Sequence, residues 1–112
     1  MKGAVLAAVL LLSAAPSLMA ADTALGRGMT ARLSEDWIVC STREVAARLS
    51  IYVKEGDQFG MDSIIRHGLG VNVGEGTRVK ILDSAGNLCE VRVISGIYND
   101  YHGWISRDFL VH

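Results

Sequence analysis

Five residues of this chain could do covalent or metal chemistry: Cys40, Cys89, His67, His102 and His112. A cysteine nucleophile served by His67 or His102 needs a free thiolate of low pKa. A metal site needs three or four ligands, and these five residues lie far apart with no paired spacing. Acid/base work by two carboxylates needs a spaced couple. Glu44 and Glu55 read instead as helix residues, and Asp57 as a helix cap. The glycine-rich stretch from Gly68 to Gly76 lacks the Lys-Ser/Thr that a phosphate loop requires, and Thr77-Arg78 leads into a strand rather than a helix. These readings leave a non-catalytic protein with no metal and no cofactor.

The residues suited to contact rather than to reaction gather late in the chain. Tyr98, Asn99, Asp100, Tyr101 and His102 form a short polar run, followed by Trp104. Tyr and Asn in a loop offer rigid amphipathic area and hydrogen bonds, and His102 is of a type that titrates near neutral pH. The expected ligand-binding residues are Tyr98, Asn99, Tyr101, His102 and Trp104. The same run also fits a solvated hairpin loop, and Trp104 is either an exposed platform or a half-buried structural residue.

Where such a surface would operate follows from the N-terminus. Lys2 gives a positive start, Ala4 to Leu12 is an unbroken apolar run, and small residues follow to Ala20-Ala21. This three-part pattern reads as a secretory signal peptide over 1–21. The apolar run is about half the roughly 20 residues a membrane helix needs. The expectation is a periplasmic or secreted protein with no stable membrane insertion after signal cleavage. Of 112 residues, 91 then remain, with ten Lys/Arg against twelve Asp/Glu. That length supports one domain, and the slight acidic excess argues against nucleic acid as the partner. In an oxidising compartment the two cysteines of a small domain are expected to pair. A Cys40–Cys89 bond would enclose 48 residues and contribute roughly 4 kcal/mol by loop entropy.

The positioning elements are legible in outline. Residues 22–33, with two glycines and weak periodicity, read as a flexible leader. Trp37-Ile-Val-Cys40 is a short strand. Ser41-Thr-Arg-Glu44 has the form of a capping box, and Val45, Leu49, Tyr52 and Val53 follow as one helical stripe. Gly56 closes that helix, and Asp57 starts a shorter one ending at His67-Gly68. Arg43, Arg48 and Arg66 read as a solvated helix face. From Thr77 the chain alternates: Val79 and Ile81 point one way, then Cys89, Val91 and Val93 after a turn at Asp83–Asn87. Gly103-Trp-Ile105 and Phe109-Leu-Val111 are further short strands, with a turn at Ser106–Asp108.

Glu75-Gly-Thr-Arg-Val-Lys-Ile-Leu-Asp83, Cys89-Glu-Val-Arg-Val93 and Gly103-Trp-Ile-Ser-Arg-Asp-Phe-Leu110 together resemble bacterial SH3-like domains. The resemblance covers about 69–111. It implies a small, strongly bent five-stranded barrel that binds peptides or cell-wall components. The helical residues have no place in a minimal barrel of this kind and are either an addition before it or an insertion near its start. No Ala-Leu-Tyr-Asp-Tyr stretch stands at the start of the barrel, which argues against proline-rich ligands. The expected fold is α+β: a helical part at 34–68, one or two short helices, preceding and packed on an SH3-like β-barrel at 69–112. The expected function is recognition of an envelope protein or peptidoglycan. The alternative is a periplasmic inhibitor or immunity-type protein that blocks a toxin or wall hydrolase.

Overall fold

A computed structural model describes residues 25–112. The signal segment 1–21 and the first residues of the expected leader lie outside these described residues. Among them the chain forms β1 (Thr30–Leu33), β2 (Trp37–Cys40), α1 (Arg43–Glu55), α2 (Gln58–Arg66), β3 (Gly70–Val73), β4 (Arg78–Ala85), β5 (Leu88–Val93), β6 (His102–Ser106), a one-turn 3-10 helix (Arg107–Phe109) and β7 (Leu110–Val111). The strands make one antiparallel sheet in the order β3-β2-β6-β5-β4-β1-β7. No helix among the described residues is long and apolar enough to cross a membrane.

The fold is α+β, but the helices do not precede the sheet. They are inserted between β2 and β3, which pair with each other from Trp37–Val73 to Cys40–Gly70. The helical hairpin is therefore a long excursion inside a strand pair. Ser41 remains tied to this ladder through its amide, which donates to the Leu69 carbonyl at 2.8 Å. That tie moves the helix cap one residue on. Thr42, not Ser41, caps α1, its hydroxyl accepting from the Val45 amide at 3.2 Å. Gly56 ends α1 in the left-handed conformation, and the Asp57 carboxylate caps α2 by accepting from the Gly60 amide at 2.9 Å.

The expected leader supplies a strand. In β1, Ala31 and Leu33 point into the core while Thr30 and Arg32 face solvent. This four-residue strand is enough because it lies between β4 and β7, so both of its edges are paired. The alternation from Arg78 to Val93 is as the sequence implies, with Val79, Ile81, Cys89, Val91 and Val93 all buried.

Every strand contributes to one main core, from Leu33 and Val39 through Val73, Val79 and Val91 to Ile105 and Leu110. A second cluster joins Ile38 and Cys40 of β2 to Val45, Ala46 and Leu49 of α1 and Ile64 of α2. Strand β2 is thus buried on both faces, which is why its sequence shows no alternation. The sheet is coiled enough that Trp37, on β2, stacks on Phe109, beside the far edge strand, with ring centroids 4.3 Å apart.

The expected disulfide is absent: Cys40 and Cys89 are both free and fully buried. The register explains why. Cys40 lies opposite Trp104 and Cys89 opposite Ile105, on either side of β6. Trp104 and Ile105 are consecutive and point to opposite faces. Cys40 accordingly faces the helices while Cys89 faces the main core. Two strand spacings separate them, about 9.5 Å, beyond the roughly 7 Å Cα separation that a bridge can span. Folded protein kept without reductant is expected to show two alkylatable thiols once denatured, and none while native, by mass spectrometry. A protein unlabelled after denaturation would mean that the two are bonded and that β6 does not run between them.

Candidate functional site

The stripe that buries α1 runs out before the helix ends. Val45, Ala46 and Leu49 are buried against β2 and Tyr52 is half-buried beside them, but Val53, the last of the stripe, is 41% exposed. The helix continues past the surface that should cover it, leaving a wedge between its C-terminal half and the outer face of the sheet. This cleft has a volume of about 420 Å³, within the range of small-ligand and peptide-anchor sites. Its floor is Ile38 and Cys40 of β2 with Trp104 of β6. Ser50, Val53 and Lys54 form the helical wall, and Asn87, Ser106, Asp108 and Phe109 the opposite wall. Trp37 closes one end.

Local structure fixes each wall. The Ser106 hydroxyl caps the 3-10 turn by accepting from the Asp108 amide at 3.2 Å. The Asn87 side-chain amide donates to Ser106 at 3.0 Å and to the Asp108 carboxylate at 3.2 Å. Asn87 belongs to the two-residue β4–β5 turn, where Gly86 has a φ of +61°. The hairpin tip and the 3-10 turn are therefore locked together as one polar rim. Outside the cleft lining, the Arg43 guanidinium sits over Trp104, 5.9 Å from its ring centroid, a distance at which the cation is attracted to the ring face. Arg43 is thus an aromatic partner rather than only part of a solvated face. Arg66 likewise covers Phe59, at 5.3 Å, although Phe59 itself is 75% exposed.

The expected ligand-binding set is divided by the fold. Trp104 is half-buried on the helix side and belongs to the cleft. Tyr98 and Tyr101 pack against the main core and meet each other edge to face at 6.5 Å. Asn99 and His102 are exposed at the loop and the start of β6. The loop is knitted by its own backbone: the Asp100 amide donates to Val93 at 2.7 Å and the Tyr101 amide to Tyr98 at 2.9 Å. Asp100 adopts a left-handed φ of +78° there, with its carboxylate 3.8 Å from Arg92. Trp104 and the Tyr98–His102 loop therefore do not form one surface. Sequence reasoning did not single out Trp37, Ser50, Val53, Lys54, Asn87, Asp108 and Phe109 as site residues. The available signal was Val53, an apolar residue at the end of a stripe.

The thiols are not set up as nucleophiles. Burial pushes Cys40 up to about 12, and it raises Cys89 as well, against the pull of Arg107. Both are neutral at pH 7. Burial also raises Tyr101. Among the described residues no group of three or more His, Cys, Asp and Glu is placed to hold a metal ion.

These raised values give stability a sign with pH. An unfolded chain releases the Cys40 proton near the ordinary value of 9.0, the folded chain only near 12. The stabilising contribution is complete below pH 9 and is lost as pH rises from 9 towards 12. Cys89 and Tyr101 act in the same direction. The melting temperature should therefore fall steeply above pH 9, and Cys40→Ala should flatten that fall while lowering stability at pH 7. An unchanged pH profile in Cys40→Ala would show that the Cys40 thiol is not buried.

Comparison with protein-family models, with curated proteins and with solved structures finds no match to this chain.

Proposed function

We propose that this chain is a non-catalytic, exported binding domain of SH3-like build, and that it recognises a cell-envelope partner through the cleft between α1 and the sheet. The observation that carries the reading is the unfilled wedge at Val53. A helical stripe continues over open space, and three aromatic side chains, Trp37, Trp104 and Phe109, border that space. An apolar concavity with a few convergent polar groups is the default location for a ligand.

The SH3-like reading draws support from β1, β4, β5, β6 and β7, which follow one another around one core with a one-turn helix before the last strand. On this reading the β2–α1–α2–β3 segment is an insertion that adds one wall to the barrel's outer face. Export rests on the signal-peptide pattern of residues 1–21.

Site-specific photocrosslinking in producing cells tests the function. Ser50 is exposed and lines the cleft, whereas Lys80 is exposed on β4 and does not line it. A photoreactive residue at position 50 should give a discrete envelope adduct, and one at position 80 should not. Equal labelling from both positions, or none from position 50, would defeat the proposal. The adduct's identity also separates a structural envelope partner from a toxin or hydrolase held in an inhibitory complex.

A further inference from the structure

The outer face of the sheet carries a second feature that the cleft does not use. Strand alternation sends Ala31, Val79, Val91, Val93 and Ile105 inward and leaves Arg32, Arg78, Lys80, Arg92 and His102 at the outward positions. Register then sets like charges side by side. Arg32 lies opposite Arg78. In the next row Thr30, Lys80, Arg92 and His102 stand opposite one another across β1, β4, β5 and β6. Neighbouring strands are about 4.8 Å apart, so this row is about 14 Å long. Like charges directly opposite one another destabilise a sheet. The chain as a whole has a net charge of −1, so this gathering of cations is not a by-product of a basic surface.

The fold neutralises only part of this charge. Arg78 and Lys80 have no ion-pair partner among the described residues. Arg92 has the Asp100 carboxylate at 3.8 Å, and Arg32 donates to the His112 carbonyl at 3.0 Å. Glu90, two residues from Arg92 on the same face, belongs to the adjoining row with Trp104. Shape and chemistry then select the occupant. Arg32, Arg78, Lys80 and His102 are exposed on open strands, not gathered round a concavity that could enclose a small anion. The six outward side chains of the two rows are all polar, whereas the centre of a protein interface is apolar and depleted in charge. Nucleic acid disagrees with the acidic net charge. An open array of cations spread over four strands fits an extended array of anions, such as a bilayer with acidic headgroups presents.

We infer that the outer face of β1, β4, β5 and β6 rests on the anionic headgroups of a membrane, holding the protein at the bilayer surface without insertion. Headgroup phosphates offset the Arg32–Arg78 and Lys80–Arg92 repulsions when the face is docked. Each Lys or Arg near such a surface strengthens attachment roughly five-fold, and salt screens the effect. The inference stands apart from the cleft, whose lining includes none of these residues. Its occupant is lipid, which leaves position 80 without a protein partner.

Vesicle flotation of the full chain tests this. The probes are vesicles of phosphatidylglycerol mixed equally with phosphatidylcholine, vesicles of phosphatidylcholine alone, and soluble polyglutamate. The parent should favour the anionic vesicles at low ionic strength and lose that preference at high salt. Lys80→Thr should weaken binding to them roughly five-fold, and the Arg78→Thr, Lys80→Thr double change by more than about ten-fold. All variants share one N-terminus, so differences among them belong to the sheet. Threonine suits a strand and removes the Lys80–Arg92 repulsion, so the melting temperature should hold or rise. Arg48→Gln removes the same charge from an exposed position on α1 and should leave vesicle binding unchanged, as should Val53→Trp in the cleft. Equal loss in Arg48→Gln and Lys80→Thr overturns the inference, because net charge alone would then be acting. So does a lower melting temperature with undiminished vesicle binding in Lys80→Thr, which would make Lys80 a structural residue. Equal binding of the parent to the two kinds of vesicle also overturns it. Binding to polyglutamate with no preference for anionic vesicles overturns it in favour of an acidic protein.

Discussion

Replacing Gly103 with alanine is expected to destabilise the domain by about 3 kcal/mol, a fall in melting temperature of more than roughly 10 °C for a domain of this size. Gly103 sits on β6 where that strand meets β2. A Cβ there would collide with the Cys40 carbonyl oxygen, would lie 2.7 Å from Val39 Cγ1 and would crowd the Tyr101 ring at 3.1 Å. The first of these is backbone and cannot rotate away. Only one residue pair, Cys40–Trp104, registers β2 against β6, so forcing the strands apart breaks the one ladder pair between them. The same displacement separates Cys40 from Trp104, two parts of the cleft floor. A melting temperature unchanged in Gly103→Ala would mean that the two strands are not in close contact.

The second large effect concerns binding without stability. Val53→Trp should abolish ligand binding while leaving the melting temperature within a few degrees of the parent. Enlarging a packed core residue costs typically 1–3 kcal/mol because neighbours must move. Val53 is not packed: it is 41% exposed and faces open space in the cleft. The indole can occupy the wedge that a partner's anchor would take. A thermal melt and a binding assay on the same preparation separate the two effects. Large destabilisation would show that the wedge is already filled. Undiminished binding would show that the partner docks elsewhere.

Which parts of this architecture could be read from the chain depends on how many faces each element buries. Strands β4 and β5 bury one face, and their alternation from Val79 to Val93 was legible residue by residue. Strand β2 packs on both sides, so Trp37-Ile-Val-Cys40 looked merely apolar and gave no direction to Cys40. In β1 the pattern was present in Thr30-Ala-Arg-Leu33, but only two inward residues carried it and glycines preceded it. Its stability comes from β4 and β7, distant in sequence. The disulfide was inferred from compartment and cysteine count, and neither contains the information that β6 runs between the two thiols.

The candidate site was legible only in part for the same reason. Trp104 stood out by type, and its nearest sequence neighbours Tyr98 to His102 were grouped with it. Two turns and a strand pleat send those neighbours elsewhere, Tyr98 and Tyr101 into the main core and His102 to solvent. The residues that do surround Trp104 come from α1, the β4–β5 turn and the 3-10 helix. Each looked ordinary within its own element. Gly60 shows the same principle on a smaller scale. A glycine costs stability inside a helix such as α2, yet any Cβ there would lie 2.8 Å from the Tyr52 ring, so its absence lets the two helices meet.

Crosslinking from position 50 and filling of the wedge at Val53 can be combined in one measurement on the cleft. A photoreactive residue is placed at position 50, in the parent and in the Val53→Trp background, and adduct yield is compared at equal protein level and equal melting temperature. A discrete adduct is expected in the parent, and its loss in Val53→Trp. An adduct of undiminished yield in Val53→Trp would contradict it, because the partner would then be bound without entering the cleft.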